Sequence, residues 1–296
     1  MRRDKDLNTQ RVEIYLFLFV CEKFKFTGEK LIMKPKRSKE IASNIKKIDG
    51  WFSNEAALLF GWIDEIQKEN KITGDIFEIG CHHGKSAVFL GEMLNRENEK
   101  FGVCDLFGSQ DSNISASGHG DLSIFKKNIN HLTSNNAHIE IHIKNSSQLT
   151  VDEIGSNFRF FHIDGGHNCE EALADLQLAG RSIIDAGIIV LDDPFRHEWP
   201  GVTEALFYFL IENQEFSAIF AGFNKILIVK NKFADFYFNQ FNAIDSRDDY
   251  GLGYPIHMKQ LPFNKRSIQI MYVPSYLKLN GALTSIKKIV RKMINK

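Results

Sequence analysis

The segment Glu78-Ile79-Gly80-Cys81-His82-His83-Gly84-Lys85-Ser86 joins a short apolar run to a stretch with helical spacing, and it decides the fold. Glycine permits a tight turn and a close approach of the backbone to a ligand, and the N–H groups at a helix start attract anionic groups. The spacing Glu-x-Gly-x-x-x-Gly differs from the Gly-x-Gly-x-x-Gly pattern of dinucleotide sites. The segment therefore predicts a strand-loop-helix site for an anionic or zwitterionic ligand, although tight turns also need glycine for structural reasons alone.

Outward from this segment, short apolar runs alternate with amphipathic stretches, the pattern of a mostly parallel sheet with helices on both faces. Seven strands are predicted, at 76–79, 101–104, 139–143, 158–163, 187–191, 216–220 and 226–230. The helices predicted between them are 85–96, 122–132, 169–184 and 202–212. The predicted class is therefore α/β, with a Rossmann-like seven-stranded sheet.

Both ends of the chain differ from this central pattern. We divide the sequence into a helical N-terminal extension at 1–70, a central domain at 71–230 and a C-terminal addition at 231–296. Residues 235–276 mix aromatics with glycine and proline, which fits either extra strands or a substrate-binding cap. The tail at 283–296 has the pattern of a basic amphipathic helix, which either packs on the domain or contacts a membrane surface or a partner.

Composition limits the function classes. Lysine plus arginine (37) equals aspartate plus glutamate (37), so no global field favours a nucleic acid partner. The four cysteines are widely spaced and form no CxxC pair, which favours reduced thiols in a cytoplasmic protein. The apolar run at 12–21 contains Glu13 and is shorter than the roughly 20 residues that a membrane span needs. We predict a cytoplasmic protein without a signal peptide, peripheral to a membrane only through its basic tail.

Polar residues after the second and third predicted strands suit an adenosine group. Asp105 lies where acidic residues of nucleotide-binding sheets accept hydrogen bonds from ribose hydroxyls. Asp105-Leu106-Phe107-Gly108 starts no obvious helix, which favours this role over that of a helix cap. Ser146, in Asn145-Ser146-Ser147, offers a small polar group for an adenine edge, although this is also ordinary loop composition.

Three carboxylates follow the fourth and fifth predicted strands: Asp164, Asp192 and Asp193. Neighbouring parallel strands place their carboxyl ends at one edge of the sheet, where uncompensated carboxylates would repel one another. A hard divalent cation with oxygen ligands would relieve that repulsion, and Mg²⁺, Ca²⁺ and Mn²⁺ all suit such a set. Capping of turns before glycine or proline is the structural alternative.

Histidines surround the same edge. His167, three residues after Asp164, is a candidate general base, because an imidazole titrates near neutral pH; the alternative is that it caps the helix predicted from 169. His82 and His83 lie inside the glycine loop, where cofactor contact, packing and a role toward substrate all stay open. The segment 195–201, with His197 and Trp199, either shapes an acceptor pocket or forms an exposed loop. The loop at 108–121 is either a lid or a disordered insertion.

With these residues, the chain resembles class I S-adenosylmethionine-dependent methyltransferases, in particular the metal-dependent branch with macrolide-sugar and aminocoumarin-sugar O-methyltransferases. The resemblance spans 50–230 and rests on 77–86, 105–107, 163–167 and 191–193. It implies an antiparallel seventh strand inserted between the fifth and sixth. It also implies S-adenosylmethionine and a divalent metal, Mg²⁺ above all, as cofactors, with a hydroxyl of a sugar or sugar-containing glycan as the methyl acceptor.

The resemblance assigns roles to individual residues. The predicted cofactor contacts are Glu78, Gly80, His82, Gly84, Ser86, Asp105, Leu106, Ser146 and Asp164. Asp164, Asp192 and Asp193 match the metal ligands, and Asp164 and His167 are the predicted catalytic residues. Gly166 stands where aminocoumarin-sugar members carry an aspartate proposed as the base, so that route is absent here.

Two other functions stay open at this point. One is a non-catalytic cofactor-binding protein of a polysaccharide or secondary-metabolite pathway, although three aspartates have no purpose in a mere binding protein. The other is a different reaction on the same fold, because relatives described as hydroxylases share these motifs. The acceptor and the oligomeric state are not determined by the sequence, with which a homo-oligomer is compatible.

Overall fold

The computed structural model describes residues 41–94, 99–109, 111, 113, 118–133, 139–244, 250 and 252–273. The predicted basic tail helix, the N-terminal residues 1–40 and much of the predicted loop at 108–121 lie outside these described residues. No helix among the described residues is long and apolar enough to cross a membrane. Cys81, Cys104 and Cys169 are free thiols, as predicted, while Cys21 is not described.

The described residues form one nine-stranded sheet, two strands more than the seven predicted. The strands are β1 Asp75–Ile79, β2 Phe101–Asp105, β3 Ile139–Ile143, β4 Phe158–Ile163, β5 Ile183–Asp192, β6 Phe216–Gly222, β7 Lys225–Lys230, β8 His257–Phe263 and β9 Arg266–Tyr272. Their order in the sheet is β3-β2-β1-β4-β5-β7-β6-β9-β8. β7 lies between β5 and β6 and is antiparallel to both, which confirms the expected insertion.

The two additional strands come from the C-terminal addition. β8 and β9 pair as an antiparallel hairpin, and β9 pairs in parallel with β6. Asn264 in the hairpin turn has φ +52°, a left-handed conformation that asparagine tolerates better than most residues. The hairpin covers the edge of β6, which would otherwise expose unpaired backbone groups. Extra strands, one of the two alternatives for 235–276, are therefore what residues 257–272 form.

Helices cover both faces of the sheet. They are α1 Asn54–Glu69, α2 Lys85–Met93, α3 Leu122–Leu132, α4 Val151–Ile154, α5 Cys169–Ser182, α6 Pro200–Glu212 and α7 Asn231–Asn242. Buried residues of α5 and α6 form a hydrophobic core with side chains from one face of the sheet, among them Phe161 and Leu191. On the opposite face, Phe60 of α1 packs edge-on against Phe160, with ring centroids 4.9 Å apart. Short 3₁₀ turns occur at Ile45–Lys47 and Ser146–Gln148.

Three helix boundaries differ from the predicted ones, and β1, β2, β5, β6 and β7 extend one to four residues beyond their predicted ranges. α6 begins at Pro200, two residues early, because proline lacks an N–H and has a helical φ, both of which suit a first turn. α5 ends at Ser182, since Ile183 is extended (φ −82°, ψ 138°) and starts β5 instead of closing the helix. α2 ends at Met93, three residues before the predicted end.

The amino ends of the strands are held by a buried guanidinium. Arg159 of β4 is 1% exposed and donates to Glu99 Oε1 at 2.9 Å and to Gln67 Oε1 of α1 at 2.7 Å. Gln67 in turn donates to the hydroxyl of Tyr237 in α7 at 3.1 Å. A buried charge is tolerated only when it is paired. This cluster therefore holds β4, α1 and α7 together at the edge of the sheet where the parallel strands begin.

Candidate functional site

A cavity of about 450 Å³ opens at the carboxyl ends of β1, β2 and β4. This volume lies within the usual range for small-molecule sites, and the carboxyl edge is where parallel sheets bind ligands. Gly80, Asp105 and Ser146 line one part of the cavity, while Asp164 and His167 line another. The two groups of residues predicted for ligand binding and for chemistry therefore meet in a single space.

The glycine loop is held in a form that only glycine permits at position 80. Gly80 has φ +80°, and a Cβ built there would lie 1.8 Å from the backbone oxygen of Asp164. Its N–H donates to the Cys104 carbonyl at 2.8 Å, so the residue is wedged between β2 and β4. Gly84, with φ +87°, is the N-cap of α2. The two glycines thus let the backbone after β1 turn close to the cavity, and α2 begins directly after this turn.

Asp105 organises this loop from the end of β2. Its Oδ2 accepts hydrogen bonds from the N–H groups of Cys81 and His82, each at 2.8 Å, and its Oδ1 accepts one from Phe107 N–H at 2.7 Å. A Cβ on Gly120 would lie 3.2 Å from Oδ1, so a small residue leaves the carboxylate accessible from that side. Asp105 therefore shapes the loop and also faces the cavity where a ribose was predicted.

The other predicted cofactor contacts divide into two groups. His82, Leu106 and Ser146 line the cavity together with Asn145, whose side chain accepts from Ser147 N–H at 3.0 Å. Ser86 is buried within the first turn of α2 and is not among the described residues that line the cavity. Ser86 therefore packs at the start of α2, and its contact with a cofactor stays a prediction.

Glu78, like Ser86, is not among the described residues that line the cavity. It is fully buried, and its Oε1 lies 2.8 Å from Nδ1 of His162 on β4, which is also fully buried. Burial would lower the pKa of His162, but the carboxylates of Asp192 and Glu78 outweigh it and raise the pKa to about 9. Glu78 thus forms an ion pair with His162 beneath the site, and its contact with a cofactor stays a prediction.

The rings of the two loop histidines lie against each other at a tilt of 38°. The rings of His82 and His83 have centroids 3.9 Å apart, and the exposed Trp51 lies 5.4 Å from His82. Burial and the neighbouring His83 lower the pKa of His82. Since His82 and Trp51 line the cavity whereas His83 does not, the arrangement favours a ligand contact for His82 and packing for His83.

The three predicted metal-ligating aspartates reach the same edge but do not form one compact group. Among the described residues, ligand atoms lie within 4.8 Å of one another in two overlapping sets, one with His162, Asp164 and Asp192 and one with Asp164, His167 and Asp193. Asp164 belongs to both sets and accepts no side-chain hydrogen bond from the described residues. Burial and repulsion from Asp192 raise the pKa of Asp164 well above its ordinary value.

Basic side chains already compensate the other two aspartates. The Lys225 ammonium contacts Asp192 Oδ2, and together with His162 it overcomes the effect of burial and lowers the pKa of Asp192. Arg196 donates to Asp193 Oδ1 at 3.0 Å. Burial would raise the pKa of Asp193, but hydrogen bonds from His167 and Asn224 lower it. Sequence reasoning missed Lys225 and Asn224, because both lie on a later hairpin that only strand pairing brings to this edge.

His167 takes a position suited to proton transfer. Its Nε2 lies 3.1 Å from Asp193 Oδ2, and its ring stacks on Trp199 with centroids 4.1 Å apart and planes at 18°. Asn168 is the N-cap of α5, since its side chain accepts from Glu171 N–H, so capping does not require His167. His197, by contrast, has a side chain that is 92% exposed. Trp199 and Arg196, but not His197, line the cavity.

Asp175 of α5 is a buried acid that the sequence did not single out. It is fully buried, and neither carboxyl oxygen completes a hydrogen bond with the described residues. Burial raises its pKa to about 7, an effect that the Ser146 hydroxyl only partly offsets. A Cβ on Gly165 would lie 2.8 Å from its Oδ2, so the acid sits directly behind the loop after β4.

We expect Asp175→Asn to stabilise the protein at pH 8 relative to wild type and to change its stability much less at pH 5. The folded pKa is about 7 and the unfolded value is about 3.9, so between these values the folded protein holds a proton that the unfolded chain has lost. Wild-type stability should therefore fall as pH rises through this window and level off above it. Thermal unfolding from pH 5 to 8 measures the effect. The exposed control Asp152→Asn should follow wild type, and a parallel pH curve for Asp175→Asn would contradict the expectation.

Comparison with known proteins adds a family match over the site. Residues 77–194 match a protein-family model described as a methyltransferase domain. This range contains the glycine loop, Asp105 and all three aspartates. No curated protein sequence matches the chain.

Solved structures give matches to the fold. The O-methyltransferase NovP is 12% identical with a TM-score of 0.52, and the match covers 74% of this chain and 98% of that one. CalS11, described as a TDP-rhamnose 3'-O-methyltransferase of calicheamicin biosynthesis, is 12% identical with a TM-score of 0.47, over 67% of this chain and 93% of that one. An O-methyltransferase from Bacillus cereus is 16% identical with a TM-score of 0.44, over 70% and 96% of the two chains. The first of these likenesses shows a shared fold.

Proposed function

We propose that this chain, whose residues 77–194 match a methyltransferase domain, is an S-adenosylmethionine-dependent methyltransferase with a class I fold that methylates a hydroxyl oxygen of a sugar or sugar-containing small molecule. One observation carries the proposal: the loop of Gly80 and Asp105 and the pair of His167 and Asp193 line the same cavity of about 450 Å³. A cofactor seated on the loop and an acceptor beside the pair would meet inside it.

The chain's own residues divide the work of such a transfer. The backbone around Gly80 with Asp105, Leu106 and Ser146 would bind the nucleoside and amino acid parts of the cofactor. His167, oriented by Asp193 and by the face of Trp199, would take the proton that leaves the acceptor hydroxyl as its oxygen forms the new bond to carbon. Most of the rate would come from holding the two reactants in line.

The polar lining supports an acceptor rich in hydroxyls. Arg196, Glu171 and His167 line the cavity with donors and acceptors, and Trp199 adds an aromatic surface. Such a combination suits a sugar ring, which presents hydroxyls at its edge and C–H groups on its faces. NovP, which shares the fold, is an O-methyltransferase by its description.

A divalent metal fits the donor set on the cavity side. The carboxylate of Asp164 has no hydrogen-bond partner among the described residues and lies with Asp193 and His167 in one group of ligand atoms. Mg²⁺ is usually held by one or two carboxylates together with waters and substrate oxygens. Asp164 and Asp193 would hold the ion, which when bound lowers the pKa of the acceptor hydroxyl and stabilises the developing alkoxide.

The test is methyl transfer by the purified full-length protein. Labelled S-adenosylmethionine is offered with a panel of free sugars, nucleotide sugars and glycosides, with Mg²⁺ or with a chelator, and cofactor binding is followed by calorimetry. We expect a methyl ether and S-adenosylhomocysteine in equal amounts, with less turnover but unchanged cofactor binding in chelator. Cofactor binding with methyl transfer only to nitrogen acceptors would contradict O-methylation, and binding without any transfer would favour the non-catalytic alternative.

A further inference from the structure

Asp192 lacks a free oxygen for a metal ion. Its Oδ2 contacts the Lys225 ammonium, and its Oδ1 accepts from Asn224 Nδ2 at 3.0 Å and from Asp193 N–H at 2.9 Å. The pairing is built into the sheet, because Asp192 and Lys225 are register partners on the antiparallel strands β5 and β7. Both oxygens are thus already used by the protein itself. The oxygens of Asp193 are hydrogen-bonded as well, but its cationic partner Arg196 has a side chain that is 41% exposed and can move away, whereas the Lys225 side chain is 2% exposed.

Lys225 is anchored on its other side as well. Its side chain is 2% exposed, and its Nζ lies 5.9 Å from the ring centroid of Phe52 and 5.8 Å from that of Phe60. Aromatic faces at this distance attract an ammonium group and exclude water from it. The lysine therefore has no exposed alternative position and remains at the carboxylate.

The cavity presents a different side of the acidic cluster. Among the described residues, Asp164, His167 and Asp193 line the cavity, but Asp192 and Lys225 do not. An ion that enters from the cavity meets Asp164 and Asp193 first and can displace the partly exposed Arg196 from Asp193, whereas closer approach to Asp192 brings it toward the buried ammonium of Lys225. Repulsion between like charges is strong where burial keeps water from screening it.

We propose that Lys225 is a resident cation that removes Asp192 from metal coordination, so that Asp164 and Asp193 alone supply the carboxylate ligands. This inference rests on the metal-assisted part of the proposed function and corrects the set of three aspartates expected from the sequence. It predicts a weak metal site whose affinity is limited by one lysine.

Mn²⁺ binding tests the assignment without reference to turnover. The full-length protein, saturated with S-adenosylhomocysteine, is titrated with Mn²⁺, and free Mn²⁺ is followed by its electron paramagnetic resonance signal. We expect Lys225→Met to bind Mn²⁺ about tenfold or more tighter than wild type, a change of the size that residues around a metal site produce. Lys225→Arg should remain close to wild type. The control Lys230→Met removes another ion-paired lysine of β7, which contacts Asp185 instead, and should also leave Mn²⁺ affinity unchanged.

Substitutions of the aspartates keep the inference testable even if Lys225→Met fails to fold. Asp193→Asn should weaken Mn²⁺ binding by about tenfold or more. Asp192→Asn alone would leave the Lys225 ammonium uncompensated beside the site, so the role of Asp192 is tested only together with Lys225→Met. The double variant Lys225→Met with Asp192→Asn, which removes both partners of the buried pair, should bind like wild type.

A double variant that binds Mn²⁺ much more weakly than wild type, or an unchanged affinity in a folded Lys225→Met, would overturn the inference. If neither wild type nor Lys225→Met binds Mn²⁺, both the inference and metal assistance are wrong. Methyl transfer in chelator then decides separately whether the proposed O-methylation itself holds.

Discussion

Replacing His167 by alanine is expected to lower the rate of methyl transfer by about 100- to 10,000-fold, the usual contribution of a positioned general base. The ring lies 3.1 Å from Asp193 through Nε2 and stacks on Trp199, so its orientation is set by two neighbours before any acceptor arrives. An alanine removes the proton acceptor and leaves the glycine loop untouched. Cofactor affinity should therefore change far less than the rate.

Single-turnover kinetics with saturating cofactor measure this effect free of product release. The matched control is His197→Ala, on the same loop edge, because that side chain is 92% exposed and does not line the cavity. It should retain the wild-type rate. A His167→Ala enzyme within a few-fold of wild type would show that another group accepts the proton, and the role of His167 would then be wrong.

Replacing Gly80 by alanine is expected to damage both stability and cofactor binding. The residue has φ +80°, and the added Cβ would lie 1.8 Å from a backbone oxygen of β4's end, which no side-chain rotation can relieve. A left-handed non-glycine residue and an overpacked contact each cost about 1–3 kcal/mol. The loop must shift to accept the methyl group, and a displacement of about 1 Å at a site can cost about 100-fold in activity.

Thermal unfolding and calorimetric titration with S-adenosylhomocysteine report the two consequences separately. Gly108→Ala is the control, because a Cβ at that position meets no atom within 4 Å. It should unfold and bind like wild type. If Gly80→Ala kept wild-type cofactor affinity, the loop could not be the part of the site that the cofactor approaches most closely.

Most of the central fold was predictable because the signals are local. The runs at 139–143 and 158–163 match β3 and β4 without change, and α3 has the predicted bounds. Short apolar runs predict buried strands, and apolar residues at helical spacing predict amphipathic helices. Neither pattern depends on which elements lie next to it in the fold. The hairpin of β8 and β9 was left open between strands and a cap, since a mixed sequence with glycine and proline carries no clear period.

The candidate site was predictable in its location but only partly in its contacts. Asp105, Asp164, His167 and Asp193 all reach the cavity, because each follows a strand and parallel strands end at one edge. Glu78 near the end of β1 and Asp192 at the end of β5 lie close to the same edge. Each is nevertheless paired beneath the cavity, Glu78 with His162 and Asp192 with Lys225. Asp175 gave no signal at all, because an acid in an amphipathic helix normally lies on its exposed face.

The order of the central strands and helices, the glycine loop and the edge of the sheet at which the acids collect all follow from residue type and spacing over a few positions. The partner that each buried acid takes depends instead on long-range strand pairing. Asp192 meets Lys225 across 33 residues and Glu78 meets His162 across 84, and such pairs are set by the register of strands that the local pattern does not specify. A buried charge requires a partner, and a partner that is distant along the chain leaves no local pattern in the sequence.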